Sequence, residues 1–211
     1  VIGLRDLRVL CLHGYHGSAA VLRTQMARFV AALPASVDFV YVDAPSLAAG
    51  DYGWWHAGSG GWERTRTWAT QMFRSTGGFD GVFGFSQGAA LTGLLAGVQE
   101  TRTGDPHEDI NFDFAVMVGG FKSDAAQPDD LFTDPLRVAS VHVIGRTDRV
   151  VPPVESRRLA DQFTDPLVLE HPGGHVVPDD DAVTRPIVEL LERLSGASPS
   201  PPPHGVSEAG Q

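Results

Sequence analysis

The chain has one cysteine, no cluster of basic residues and no apolar run near the roughly 18 residues of a membrane span. Cys11 therefore has no partner for an internal disulfide. Its place in the apolar run Val9-Leu10-Cys11-Leu12 marks it as a buried strand residue rather than a reactive thiol. A formal charge of -10 without a Lys/Arg patch excludes nucleic acid and an anionic membrane as partners, because both require a basic face. A single unpaired cysteine fits a reducing cytoplasm, which is the expected location, and Val1 to Leu12 has neither the n-region nor the cleavage site of a signal peptide. Gly14 and Gly17 lack the third glycine or the lysine of a phosphate-cradling loop. His13 and His16 have a spacing that a metal could use, yet no Cys, His or carboxylate completes the ligand set. The expectation is neither metal nor cofactor.

What is present centres on Gly84-Phe85-Ser86-Gln87-Gly88. The residues before it, Phe79 to Phe83, read as a strand, and those after it, Ala89 to Leu95, as a helix. A serine on so sharp a strand-to-helix turn needs small neighbours two positions away on either side, and both are glycine. This is the pattern of a nucleophile elbow. Gln87 opens the helix, where its backbone N–H has no intrahelical acceptor and can hold an oxyanion.

With 211 residues, 42% of them hydrophobic and 20% charged, the chain suffices for one well-filled core. Residues 1–194 read as one domain. From Ser195 the composition turns to Ser, Pro, Gly and Ala, so 195–211 reads as a disordered tail. Along the domain, strands are expected at Arg8–Leu12, Val37–Val42, Phe79–Phe83, Phe114–Val118, Val138–Ile144 and Leu167–Glu170. Helices are expected from Ser18 to Pro34, Trp62 to about Thr76, after the elbow, Pro152 to about Phe163, and Asp181 to Leu194. The stretch from Asp43 to about Gly61 reads as irregular, and polar loops are expected at about Gln99–Asn111 and Asp124–Asp134. This rhythm predicts an α/β fold of about six mostly parallel strands with helices on both faces, whose ligand sits at the carboxyl ends of the strands.

Ser86, Asp148 and His175 each stand just beyond an expected strand end, in the chain order Ser, Asp, His. In those roles His175 is general base, Ser86 the nucleophile, and Asp148 the group that orients the imidazole. His171 is the rival base; Asp161 and Asp165, near a helix end, are the rival acids. The backbone N–H of Tyr15 in the loop after the first strand is the candidate second oxyanion donor beside Gln87. His13 in the same loop either braces it by hydrogen bonds or takes part in catalysis. The aromatic stretch Tyr52 to Trp62 serves as substrate wall or as core, and the candidate substrate-binding residues are Trp54, Trp55, Phe85 and Phe121.

The segments Arg8-Val9-Leu10-Cys11-Leu12-His13-Gly14-Tyr15, Asp43-Ala44-Pro45, Trp54-Trp55, Phe79 to Ala90, His142-Val143-Ile144-Gly145, Thr147-Asp148, Val150 to Pro153 and Glu170 to His175 occur in one order. Together they resemble a family of serine hydrolases, the group containing the ovarian-cancer-associated gene 2 product and product-releasing thioesterases of fungal polyketide clusters. The resemblance runs from about Arg8 to Leu194. It implies a compact α/β-hydrolase without a lid domain, acting on esters or thioesters through Ser86, Asp148 and His175. The chain departs from that pattern in the Gly-rich loop between Gly58 and Trp62 and in its proline-rich tail. The expected substrate is a small-molecule acyl ester or thioester, free or presented on a carrier protein or CoA. Expected activities are a stand-alone thioesterase of a biosynthetic pathway or a general carboxylesterase; the nonenzymatic alternative is a ligand-binding protein on a hydrolase scaffold.

Overall fold

The computed structural model describes residues 5–48, 51–56, 60–101, 109–125 and 131–196. The expected tail from 197 onward and the centres of the two expected polar loops, 102–108 and 126–130, lie outside the described residues. In chain order the elements are β1 (Leu7–Leu12), α1 (Ala19–Ala31), β2 (Val37–Val42), β3 (Ser46–Ala48), β4 (Asp51–Tyr52), α2 (Trp62–Ser75) and β5 (Gly81–Phe85). They continue with α3 (Gln87–Thr101), β6 (Phe114–Val118), β7 (Ala139–Gly145), α4 (Pro153–Ala160), β8 (Leu167–His171) and α5 (Asp181–Leu194). Six strands form one sheet in the order β2-β1-β5-β6-β7-β8, and every pairing in it is parallel.

The strands read as unbroken apolar runs because both faces of the sheet are covered. In β1, Leu7, Val9 and Cys11 point into a core shared with Leu22, Met26 and Phe29 of α1 and Val183, Ile187 and Leu191 of α5. The alternate residues Leu10 and Leu12 point into the opposite core, with Trp62 and Phe73 of α2, Leu91 and Leu94 of α3 and Leu159 of α4. Full burial of each large side chain stabilises the fold by about 1.5–3 kcal/mol. Ser18 starts α1 as expected, its Oγ accepting the Val21 N–H at 3.1 Å. Cys11 is fully buried, which pushes its thiol well above the usual range.

Three local expectations change. The stretch expected to be irregular contains a small antiparallel pair, β3 with β4. The elbow strand ends at Phe85 rather than Phe83, so the chain passes from strand to turn without a spacer. Helix α3 continues through the polar residues that were expected to open a loop. Gln99 exchanges two hydrogen bonds with the backbone of Phe112, at 2.7 and 3.0 Å, and Glu100 pairs with Arg137 at 2.6 Å. These side chains anchor the end of the helix instead of breaking it.

β1 pairs with β2 on one side and with β5 on the other, so the strand order reverses between β1 and β5. At such a reversal the following loops diverge and leave a crevice at the carboxyl ends of the strands. The loop after β1 begins at His13 and the turn after β5 is Ser86. Among the described residues no helix is long and apolar enough to cross a membrane.

His142 in β7 is 2% exposed, bonded to Ser140 Oγ at 3.0 Å and set edge-on to the Phe163 ring. Burial pushes its imidazole down to about 3. Between that value and the unfolded value near 6.5, the unfolded chain binds a proton that the folded chain refuses. The stability that His142 permits is therefore complete above about pH 6.5 and is lost as pH falls toward 3. Denaturant titrations between pH 4 and 6.5 should show stability falling with acid, and His142→Gln should flatten that slope by up to about 1.4 kcal/mol per pH unit. An identical slope in the variant would show that the imidazole is accommodated charged.

Candidate active site

Ser86 has φ 57, the left-handed region that a side chain rarely adopts. Close packing on both sides holds it there. A Cβ on Gly84 would lie 2.2 Å from the Gly88 carbonyl oxygen, and one on Gly88 would lie 2.0 Å from the Leu12 carbonyl oxygen. The first turn of α3 thus rests directly on the end of β1. The Ser86 N–H donates to Val118 O at 3.0 Å, while Ser86 O accepts from Ala89 and Ala90, so the backbone is tied to the sheet and to the helix at once.

His175 lies on the loop after β8. Its Nδ1 donates to Asp148 Oδ2 at 2.7 Å. Asp148, only 6% exposed, stands on the turn after β7, and its other oxygen accepts the backbone N–H groups of Val150 and Val151, each at 2.9 Å. Those two bonds fix the carboxylate and leave Oδ2 for the imidazole. The His175 ring is 4.8 Å from the ring of Phe85, the residue before Ser86. Gly119, after β6, packs against the same pair: a Cβ there would sit 3.1 Å from His175 Nδ1 and 3.5 Å from Asp148 Oδ2.

The rival residues have other places. His171 is buried at the end of β8, its Nδ1 accepts the Gly173 N–H at 3.2 Å, and burial lowers its pKa. Asp161 caps α4 and is exposed, as is Asp165, so neither shares the buried setting of Asp148. His13 is fully buried with both ring nitrogens occupied. Its Nε2 accepts the Ala44 N–H at 3.0 Å, so the proton lies on Nδ1, which donates to Gly14 O at 2.7 Å. Burial lowers its pKa, and its position is that of a brace.

The loop that His13 braces runs beside the elbow: a Cβ on Gly14 would lie 3.3 Å from Ser86 Cβ and 3.9 Å from its Oγ. Tyr15 follows in a turn closed by the Gly17 N–H on Gly14 O at 3.0 Å, and its hydroxyl lies 3.0 Å from His56 Nδ1. Gln87 stands at the first position of α3.

The aromatic residues divide. Trp54 departs from the expected substrate wall: it is 1% exposed, 5.0 Å from the Trp68 ring and 5.1 Å from His13, and its indole N–H is spent on His13 O. Core packing explains this, since burying the ring removes a large apolar area from water once the N–H has a partner. Trp55 and Phe85 are buried at 8% and 5% exposure, and Phe121 is half-buried. The side chain of Gln87 escaped the sequence reading, which used only its backbone; its sole signal there was a polar residue at the head of an apolar helix. Among the described residues no three His, Cys, Asp or Glu side chains form a group that could hold a metal.

Gly119→Ala should cost about 1 kcal/mol of left-handed backbone strain, worth about 2–4 °C in melting temperature. Its Cβ should also turn the His175 ring, and a displacement of this kind lowers turnover by up to about 10²-fold. Turnover and a thermal melt measured on one preparation check both; unchanged turnover would mean the ring is not held by this contact.

Residues 4–187 match the family described as Serine hydrolase (FSH1). The chain is 34% identical over 204 residues to Esterase OVCA2 of Xenopus tropicalis, covering 82% of this chain and 87% of that protein. It is 31% identical over 225 residues to Esterase OVCA2 of Homo sapiens, covering 90% and 98% respectively. Among solved structures it is similar to Zea mays acyl-protein thioesterase 2, with TM-score 0.61 and 18% identity over 93% of this chain and 95% of that one, a likeness that concerns the fold. The strained serine, the all-parallel sheet and these matches agree, and the chain belongs to the FSH1 family of serine hydrolases.

Proposed function

We propose that the protein hydrolyses acyl esters and thioesters, with Ser86 as nucleophile, His175 as general base and acid, and Asp148 as the carboxylate that orients the imidazole. The observation that carries this reading is the Ser86 backbone at φ 57 beside a His175–Asp148 bond of 2.7 Å. Asp148 holds the Nδ1–H tautomer, so Nε2 takes the Ser86 proton as Oγ attacks the carbonyl carbon. The backbone N–H groups of Gln87 and Tyr15 receive the oxyanion. Collapse expels the alcohol or thiol, which leaves with the proton from His175; water then repeats the sequence on the acyl-enzyme. A thiol is the better leaving group of the two, with a pKa of about 8–9, so the same machinery serves both substrates.

The acyl group meets an apolar rim. Val150 and Val176, the former two residues past Asp148 and the latter next to His175, are 70% and 52% exposed, and Phe121 is half-buried. Such a rim favours a hydrocarbon chain over a charged one. Trp55 and Phe85 are buried in cores on opposite faces of the sheet, and Phe85 stacks on His175 at 4.8 Å.

A fluorophosphonate should label the wild type and fail to label Ser86→Ala, whose melting temperature should stay near wild type. Labelling at an unchanged rate would remove Ser86 as nucleophile. Asp148→Asn should lower kcat by about 10⁴-fold, since the amide favours the wrong tautomer. A loss under tenfold would move the acid role elsewhere.

For acyl p-nitrophenyl esters and the matching thioesters, kcat/KM should rise from two to about six or eight carbons. The gain is at most about fourfold per methylene, the equivalent of 0.8 kcal/mol. A maximum at acetyl would mean that the rim does not take the acyl chain.

A further inference from the structure

The side chains of Gln87 and Trp54 form a buried hydrogen-bond chain that joins the two segments bearing the proposed oxyanion donors. Gln87 Oε1 accepts the Trp54 backbone N–H at 3.0 Å, and Gln87 Nε2 donates to Trp55 O at 3.0 Å. The Trp54 indole N–H then donates to His13 O at 2.8 Å, two residues before Tyr15. His13 is fixed in turn by Ala44 and Gly14, and Thr65 Oγ1 donates to Trp54 O. Gln87, Trp54, His13 and Thr65 are all buried.

Simple packing does not require this wiring. An apolar side chain at position 87 would fill a buried volume without needing partners, whereas an amide there must find them or lose stability. Gln87 finds both on one neighbouring peptide segment, Trp54 and Trp55. The backbone that bears one donor is therefore tied through its own side chain and a single tryptophan to the loop that bears the other. An oxyanion hole depends on donor positions set to a few tenths of an ångström.

We infer that Gln87, through its side chain, and Trp54 are positioning residues that hold the two halves of the oxyanion hole in register. The inference rests on the proposed use of Gln87 and Tyr15 as donors. Neither side chain touches the reacting atoms; each acts through the backbone it restrains.

The experiment uses the full chain with Trp54→Phe, which keeps an aromatic ring and deletes the indole N–H, and Gln87→Met, which keeps length and deletes both amide bonds. An alkyl trifluoromethyl ketone reports on the hole. Ser86 Oγ adds to its carbonyl carbon, the serine proton passes to His175, and the ketone oxygen becomes the anion that the donors must hold. The matching alkyl alcohol reports on ground-state binding alone. Each variant should lose about 10- to 100-fold in kcat, a fraction of the roughly 10²–10³-fold for complete loss of a donor, with KM within about threefold. Affinity for the ketone should fall by the same factor as kcat/KM, affinity for the alcohol should hold, and the double variant should lose little more than the worse single one.

A raised KM with unchanged kcat would overturn the inference and place Trp54 on the substrate path. Ketone affinity unchanged while the melting temperature falls would overturn it in favour of a purely stabilising network. Should Trp54→Phe fail to fold, Gln87→Met decides by the same readouts. Ser86→Ala separates the two levels: if it retains turnover the proposed function fails, and if it is inactive while both variants behave as wild type, only the positioning role fails.

Discussion

The contact on which the site depends is the one between Gly88 and the carbonyl oxygen of Leu12, where the first turn of α3 lies on the end of β1 with no room for a Cβ. Because the helix starts that close to the sheet, the turn between β5 and α3 must reverse within a single residue, and that residue is Ser86 at φ 57. Left-handed backbone costs a non-glycine residue roughly 1–2 kcal/mol, so the surroundings have to over-determine it. They do so from the sheet side through Val118 O and from the helix side through Ala89 and Ala90. The same approach sets Gly14 against Ser86, which brings the loop after β1 to the serine.

Polar burial is the second constraint. Gln87, His13, Thr65 and Asp148 are all buried, and an unpartnered polar group in that setting costs about 1–3 kcal/mol. Gln87 is satisfied by the backbone of Trp54 and Trp55, Thr65 by Trp54 O and His13 Nε2 by the Ala44 N–H, all on other segments, while Gly14 O completes His13 and the N–H groups of Val150 and Val151 hold Asp148 within their own loops. Among the described residues no buried side-chain nitrogen or oxygen lacks a partner. Loops that would otherwise be free to shift are thereby pinned to the strands that carry the chemistry.

Much of this was legible from residue order. Continuous apolar runs such as Phe114 to Val118 gave away doubly covered strands, and the glycine spacing around Ser86 gave away the elbow, because both reflect local steric demands. The β3–β4 pair was not legible, since two- and three-residue strands have no measurable periodicity. Nor was the continuation of α3 past Gln99. Its polar residues resemble a loop until Phe112 and Arg137, distant in sequence, are seen to partner them. Trp54 was undecidable for a related reason: a tryptophan among glycines is equally suited to a wall and to a core, and only the partner of its indole N–H, His13 O, separates them.

The histidines show how environment rather than spacing sorts the candidates for base. His13 and His142 are buried without a carboxylate bonded to the ring, and His171 is buried at a strand end; in all three, burial disfavours the charged form. An imidazole that must take a proton from serine and return it to a leaving group has to exist as a cation in between. His13 would also surrender its bond to the Ala44 N–H on protonation, loosening the loop that bears Tyr15. His175 has a carboxylate bonded to one nitrogen at 2.7 Å and a side chain 16% exposed. The fold thus keeps its structural imidazoles neutral by burying them and gives a charge partner to the one it places beside the strained serine.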